Sequence, residues 1–256
     1  MTGDLLSTLT RQVLFAPLGA PGRTEAVLDR LRTAIALGVL AEGEQLPPET
    51  ELAAQFNVSP VTLRDALGVL RSEGIVETRR GRGGGSFVRV PDRLHIEHAE
   101  AQLAQFSPVD LRDLADWRCA VSATAAELAA ERASDQNVET LVATARQMEA
   151  AADEVGARRA DARFHIELAA AAQSARLSGA AISLQVTYAP LVTLVYRDVD
   201  TRSAVAGLFG QIAEAVQDGI GDEARQLTRQ AVTATRDSLL ELRLGMSGSA
   251  GEEPSR

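Results

Sequence analysis

Apolar positions in the stretch 46–88 follow helical spacing twice, then give way to a glycine- and arginine-rich turn. Leu52, Ala53 and Phe56 share one face of a short helix starting near Pro48 or Glu49. Proline is tolerated at such a start because its missing N–H would have no partner there anyway. Asn57 and Val58 turn the chain, Ser59 fits an N-cap, and Pro60 fits the first turn of the next helix. In that second helix Val61, Leu63, Leu67 and Leu70, with Ala66 beside them, recur mostly at three- and four-residue steps. Gly74 ends it. Its other face offers Thr62, Arg64, Asp65 and Arg71. Residues 75–78 and 86–90 read as two short strands around Arg79-Arg80-Gly81-Arg82-Gly83-Gly84-Gly85.

From residue 109 onward the pattern is helical and alanine-rich. Helices are expected near 109–133, 135–154, 157–175, 178–197, 203–219 and 221–244, with few breakers between them. In the last of these, Leu227, Val232, Leu239, Leu240 and Leu242 are placed to cover a core. The expected fold class is mainly α: an N-terminal winged helix-turn-helix, then an all-α bundle of six or seven helices. The expected organisation is a flexible extension over 1–22, the winged domain over 23–90 and a linker over 91–108. The helical effector-binding and dimerisation domain follows over 109–245, and a disordered tail over 246–256.

A second helix after a tight turn, polar at its N-terminal end, is what enters a DNA major groove. Glycines in the wing let backbone approach a surface, and its arginines supply charge for phosphates or a narrow minor groove. The net charge of −9 looks wrong for that role until it is divided. Residues 1–94 hold 11 Arg and 11 acids, whereas residues 95–256 hold 15 Arg and 24 acids. Basic character is therefore local to the recognition helix and wing: residues 79–93 contain five Arg and one acid, Asp92. All 26 cationic side chains are Arg. Cys119 is the only cysteine, so no internal disulfide forms, which fits a reducing, cytoplasmic setting. No uninterrupted apolar run approaches the ~20 residues of a membrane helix, and no membrane partner is expected. Residues 1–15 lack a basic leader with a clean apolar core.

The N-terminal stretch resembles the GntR family of bacterial transcription regulators. The matching residues are Ile35, Gly38, Leu46-Pro47, Glu49, Leu52-Ala53, Phe56, Val58-Ser59, Thr62, Arg64, Ala66-Leu67, Leu70, Glu73-Gly74, Gly81-Arg82-Gly83 and Phe87-Val88. By that resemblance Thr62 and Arg64 on the recognition helix, Ser59 at its cap and Gly81-Arg82 in the wing would contact DNA. Pro60, Val61, Arg80 and Gly83 complete the candidate surface. Thr50 and Pro60 stand where many members carry a DNA-contacting Arg. Losing two cations should flatten the salt dependence of binding and change the sequence read.

The resemblance extends to the helical half. Residues 111–130 (LRDLADWRCAVSATAAELAA) and 161–168 (DARFHIEL) look like parts of the FCD ligand-binding domain, which marks the FadR-like branch. That likeness implies a helical bundle binding a small organic acid, often with a metal held by one Asp and three His. Asp161 and His165 match the first two ligands, and their i, i+4 spacing puts both on one helix face. Zn²⁺ accepts such donors. The set is incomplete, because Phe209 and Ala231 stand at the other two positions and the chain has three histidines in all, two of them (His95, His98) in the linker. No cofactor is therefore required. Arg118 matches a family Arg able to hold a carboxylate bidentately. Tyr188 and Arg197 complete the effector candidates, and Trp117 is expected to pack. Ser122 replaces a usual Glu, which suits a less acidic, more apolar pocket and leaves an acyl-CoA effector open.

These readings converge on a homodimeric repressor that binds a palindromic duplex operator and answers to a small carboxylate or acyl-CoA. One alternative is a DNA-binding dimer whose helical domain only dimerises. An enzyme is the remote alternative, since there is no Ser/His/Asp set, phosphate loop or dinucleotide motif at persuasive spacing.

Overall fold

The computed structural model describes residues 23–36, 40, 43–81, 84–89 and 92–249. The expected N-terminal extension, Arg82, Gly83 and residues 250–256 lie outside them. The described chain forms two units that divide between His95 and Ile96.

The first unit holds α1 (Arg23–Ala36), α2 (Glu49–Phe56), α3 (Pro60–Ser72), and an antiparallel hairpin of β1 (Val76–Arg79) and β2 (Gly85–Val88). Its core draws Val27, Leu31 and Ile35 from α1, Leu52 and Phe56 from α2, and Leu63, Leu67 and Leu70 from α3, all buried. Each such burial contributes roughly 1.5–3 kcal/mol. Arg32 of α1 pairs with Glu73, just past α3. Asn57 takes the left-handed conformation (φ 53°) that ends α2. Gly74 does the same after α3 (φ 71°), where Ile75 N–H donates to Leu70 C=O at 2.9 Å and Gly74 N–H to Arg71 C=O at 3.1 Å. That pair of bonds is a Schellman closure, which glycine adopts without a Cβ penalty.

The second unit is a helical bundle. It consists of α4 (Asp92–Gln105) from Ile96 onward, α5 (Pro108–Arg132), α6 (Asp135–Glu149), α7 (Glu154–Ala171), α8 (Ala175–Val195), α9 (Val199–Gln217) and α10 (Gly221–Ser249). The stretch read as a linker is thus largely helical. From Ile96 onward α4 joins the bundle through buried Ala99 and Leu103, and Gln102 donates to the Thr187 carbonyl at 3.3 Å. The last helix also runs to Ser249, past the residue where a disordered tail was expected to begin. Alanine is why the bundle closes tightly. On α7 every residue from 160 to 171 except Arg163 is buried, so this helix runs through the middle of the unit. Ser107 and Ser134 form reciprocal caps with Asp110 and Asn137. Helix α8 is apolar and long enough to cross a membrane by length and composition, but 67 % of that window is packed inside the bundle.

Candidate nucleic-acid interface and effector site

In the first unit the candidate contacts sit on an outward face. Ser59 caps α3, its Oγ accepting from Thr62 N–H at 3.1 Å and lying 2.9 Å from the Thr62 hydroxyl. Pro60 occupies the first helical turn as expected. Val61 is 64 % exposed on the same outward face. The Arg64 side chain is 62 % exposed, and its Nε donates to Glu49 at 3.2 Å, which holds the guanidinium against the start of α2. Thr50 is exposed on that same first turn.

The hairpin adds Arg80 and Gly81, both exposed. Gly81 has φ 103°, and Gly84 N–H donates to its carbonyl at 2.8 Å to close the turn. A Cβ on Gly84 would lie 2.5 Å from the Arg79 carbonyl oxygen, so this turn needs glycine there. Arg79 is less available: it stacks on Phe87 at 4.4 Å and pairs with Glu77 at 2.7 Å.

In the second unit the candidates meet in the interior. Arg118 of α5 and Asp161 of α7 are each 1 % exposed, and Arg118 Nη2 donates to Asp161 Oδ2 at 2.7 Å. Tyr196, which caps the end of α8, donates its hydroxyl to Asp161 Oδ1 at 2.7 Å. The Arg118 guanidinium lies over the Tyr188 ring at 4.0 Å. Tyr188 Oη lies 3.4 Å from Thr235 Oγ1, whose own hydrogen is committed to backbone carbonyls of α10. His165 Nδ1 shares a 3.0 Å hydrogen bond with Ser122.

Charge in this site is settled by burial and by one ion pair. Burial alone would raise the Asp161 pKa, but the Arg118 charge and the hydrogen bonds hold it below the usual carboxylate range. Burial, helped by the nearby Arg118 charge, pushes His165 down to about 3, so its ring is neutral at pH 7. Burial raises the Tyr196 hydroxyl well above its ordinary value, and the Asp161 charge adds to that.

These residues do not fit the metal that an FCD resemblance implies. Both Asp161 oxygens are already engaged, and His165 Nε2 is 3.8 Å from Asp161 Oδ1. The Phe209 ring lies perpendicular to the His165 ring at 5.5 Å between centroids and stacks on Phe164 at 4.1 Å, so an aromatic wall stands beside the imidazole. Among the described residues no three His, Cys, Asp or Glu side chains gather as a metal would require.

Arg197 is not part of this constellation. One residue beyond Tyr196, it turns outward and lies 3.7 Å from Glu100 of α4. Trp117, expected to pack, is 54 % exposed. Tyr196 and Thr235 join the site unannounced. The Tyr188–Tyr196 spacing of eight residues, a little over two turns, is the signal that could have placed both rings on one helix face. Two surface grooves of about 480 and 550 Å³ lie elsewhere in this unit, and none of the constellation's residues lines them.

Comparison with known proteins agrees with both halves. Residues 23–85 match the family described as bacterial regulatory proteins, gntR family, and residues 113–234 match the FCD domain. A protein named as an HTH-type transcriptional regulator, RmpR, from Mycobacterium gastri is 37 % identical over 238 residues, 91 % of this chain and 85 % of that protein. The chain belongs to the GntR family. This GntR protein is a DNA-binding transcription regulator with an FCD domain, not an enzyme. It is also 34 % identical, over 59 % of each chain, to an Escherichia coli protein named for regulation of an L-lactate dehydrogenase operon. The solved structure of E. coli McbR/YncC shares the fold at TM-score 0.52 and 16 % identity, over 87 % of this chain and 99 % of that one.

Proposed function

We propose that this protein is a cytoplasmic homodimeric repressor whose helical unit binds a small carboxylic acid or an acyl-CoA. In this reading each α3 enters a major groove, with Thr62 and Arg64 reading base edges from a helix whose start is fixed by Ser59 and Pro60. Val61 meets an apolar base edge such as a thymine methyl. Thr50 touches backbone beside it, and Arg80, Gly81, Arg82 and Gly83 engage phosphates or the minor groove. The observation that carries it is the capped, outward-facing helix with Arg64 held by Glu49 beside an arginine-bearing hairpin. Two-fold symmetry calls for an inverted repeat with half-sites one helical turn, ~34–36 Å, or a multiple of it apart. Effector binding releases DNA only by favouring one arrangement of the reading heads over another.

The E. coli relative named for an L-lactate dehydrogenase operon gives support to a small acid as effector. A second reading, that the helical unit only dimerises, draws support from the closure of the core around Arg118 and Asp161. Selection of bound sequences from a random duplex pool, followed by footprinting with and without candidate acids, tests both. An inverted repeat whose protection is lost with an acid supports the repressor reading. An inverted repeat indifferent to every acid favours the second. A single half-site bound by monomer sinks both.

A further inference from the structure

We propose that Asp65 reads sequence by accepting the amino hydrogen of a cytosine in the major groove, and that Gly68 lets the duplex come close enough for it to do so. This rests on the reading of α3 as the groove helix and adds a base contact to it.

Val61, Asp65, Gly68 and Ser72 stand at steps of four, three and four residues, so they form one stripe along the outward face of α3. Arg64 lies to one side of that stripe, drawn toward Glu49. Asp65 sits in its middle, exposed, and among the described residues it makes no hydrogen bond or ion pair. A lone carboxylate is an unfavourable group to bring to a polyanion. Beside phosphates it is repelled, and inside the groove without a donor it gives up hydration for nothing. The donors that a major groove offers are the N4 amine of cytosine and the N6 amine of adenine. Adenine sets its N7 acceptor next to that amine, where it repels a carboxylate, whereas cytosine shows the amine without a neighbouring acceptor of its own. Cytosine is thus the base that Asp65 meets, and any other base at that position leaves the charge unmatched. The residue acts as much by rejecting wrong duplexes as by holding the right one.

Aspartate is short, so its oxygens reach a base edge only from a helix that lies close. Gly68, one turn further along the stripe, permits that approach. Glycine inside a helix is destabilising relative to alanine, and α3 has no internal use for it. Gly68 is not among the positive-φ glycines. A Cβ added there would touch only Arg71 Nη2, at an ordinary 3.8 Å. Neither backbone conformation nor packing among the described residues calls for glycine at this position. Close approach by another molecule does.

The test uses the full chain. The natural protein, Asp65→Asn, Asp65→Ala, Gly68→Ala and Arg64→Ala each select from a random duplex pool. Gel-shift titrations at fixed salt follow on the selected operator and on random duplex. The natural half-site should hold a C·G pair whose replacement weakens binding about tenfold. Asp65→Asn should prefer adenine at that pair, because an amide matches N6 and N7 together. Asp65→Ala should lose discrimination there and nowhere else, and should bind random duplex at least as tightly as the natural protein does. Gly68→Ala should raise Tm yet bind the operator about tenfold more weakly. Variants at residue 65 that keep the natural base preference, while Arg64→Ala changes it, overturn this inference and leave α3 in the groove. Full operator affinity in Gly68→Ala overturns it in the same way. If no variant alters the selected sequence, Arg64→Ala included, or if no sequence is selected at all, the groove reading of α3 falls with it.

Discussion

The winged unit and the helical unit place their arginines in opposite environments. Arg64 works in water: its side chain is 62 % exposed and its partner Glu49 is half-buried at the surface. Arg118 sits in the core at 1 % exposure, against an equally buried Asp161. An exposed pair contributes about 0–1 kcal/mol because water screens it. A buried pair is different, because neither ion can recover its hydration if the other is lost. The first arrangement suits a side chain that must leave its partner for a ligand such as DNA. The second holds its side chain in place against a partner that cannot be lost cheaply.

The largest expected effect follows from that contrast. Arg118→Met should destabilise the helical unit by about 3–5 kcal/mol, because it strands Asp161 in the core. Urea unfolding followed by helical signal measures it. Adding Asp161→Asn to Arg118→Met should recover a substantial part of the loss, since the stranded charge is gone. A cost for Arg118→Met no greater than that for Arg64→Ala would erase the distinction between the two units.

Acid should also find the helical unit first. His165 has its folded-state pKa lowered to about 3 from an ordinary 6.5. The unfolded chain therefore binds more protons at this residue between those values, and stability falls as pH drops through that window. Asp161, also lowered, adds a further loss as pH falls through the usual carboxylate range, where the unfolded carboxylate takes up protons and the folded one does not. Above pH 6.5 the neutral imidazole contributes no slope. His165→Gln should flatten the stability profile between pH 6.5 and 4. An unchanged slope there would mean that the ring is not held neutral by the core.

How much was legible in the sequence differs between the units for the same physical reason. In the winged unit each element is defined by neighbours in sequence. Ser59 caps Thr62 three residues on, Gly74 closes the helix it follows, and the Arg/Gly turn lies between its own strands. Local spacing therefore located α2, α3 and the hairpin to within a residue or two. In the helical unit the helices were legible, apart from α4, whose apolar content is thin before Ala99 and Leu103. The constellation was legible only in part. Asp161 and His165 announce themselves by i, i+4 spacing, but Arg118 reaches Asp161 across 43 residues of sequence and Tyr196 across 35. Tyr196 and Arg197 show the limit plainly. They are adjacent in sequence, yet a 100° step around the helix end sends one into the core and the other outward. Composition cannot decide that, because it depends on which face α7 and α5 cover.

Arg64→Ala sharpens the comparison from the other side. It should change stability by no more than about 0.5 kcal/mol, since the lost pair is exposed. Affinity for the selected operator should fall by roughly 1–3 kcal/mol, with little change on random duplex, if the guanidinium reads a base edge. Gel-shift titration against both DNAs at fixed salt separates these outcomes. Equal losses on specific and random DNA would make Arg64 a phosphate contact instead.

Ser59→Ala is the smallest and the most diagnostic of local structure. Ser59 Oγ accepts the Thr62 N–H, one of the donors at the start of α3 that have no partner within the helix. Losing that acceptor should cost about 1 kcal/mol, whereas Ser59→Asp keeps an acceptor and should keep the stability. The two variants separate on DNA. Ser59→Ala leaves the surface neutral and should weaken operator binding only through fraying of the first turn. Ser59→Asp keeps the cap but adds a negative charge on the face proposed to meet DNA, and should bind every duplex more weakly. If both variants bind the operator as the natural protein does, residue 59 is a structural cap away from the DNA, and the contact surface begins further along α3.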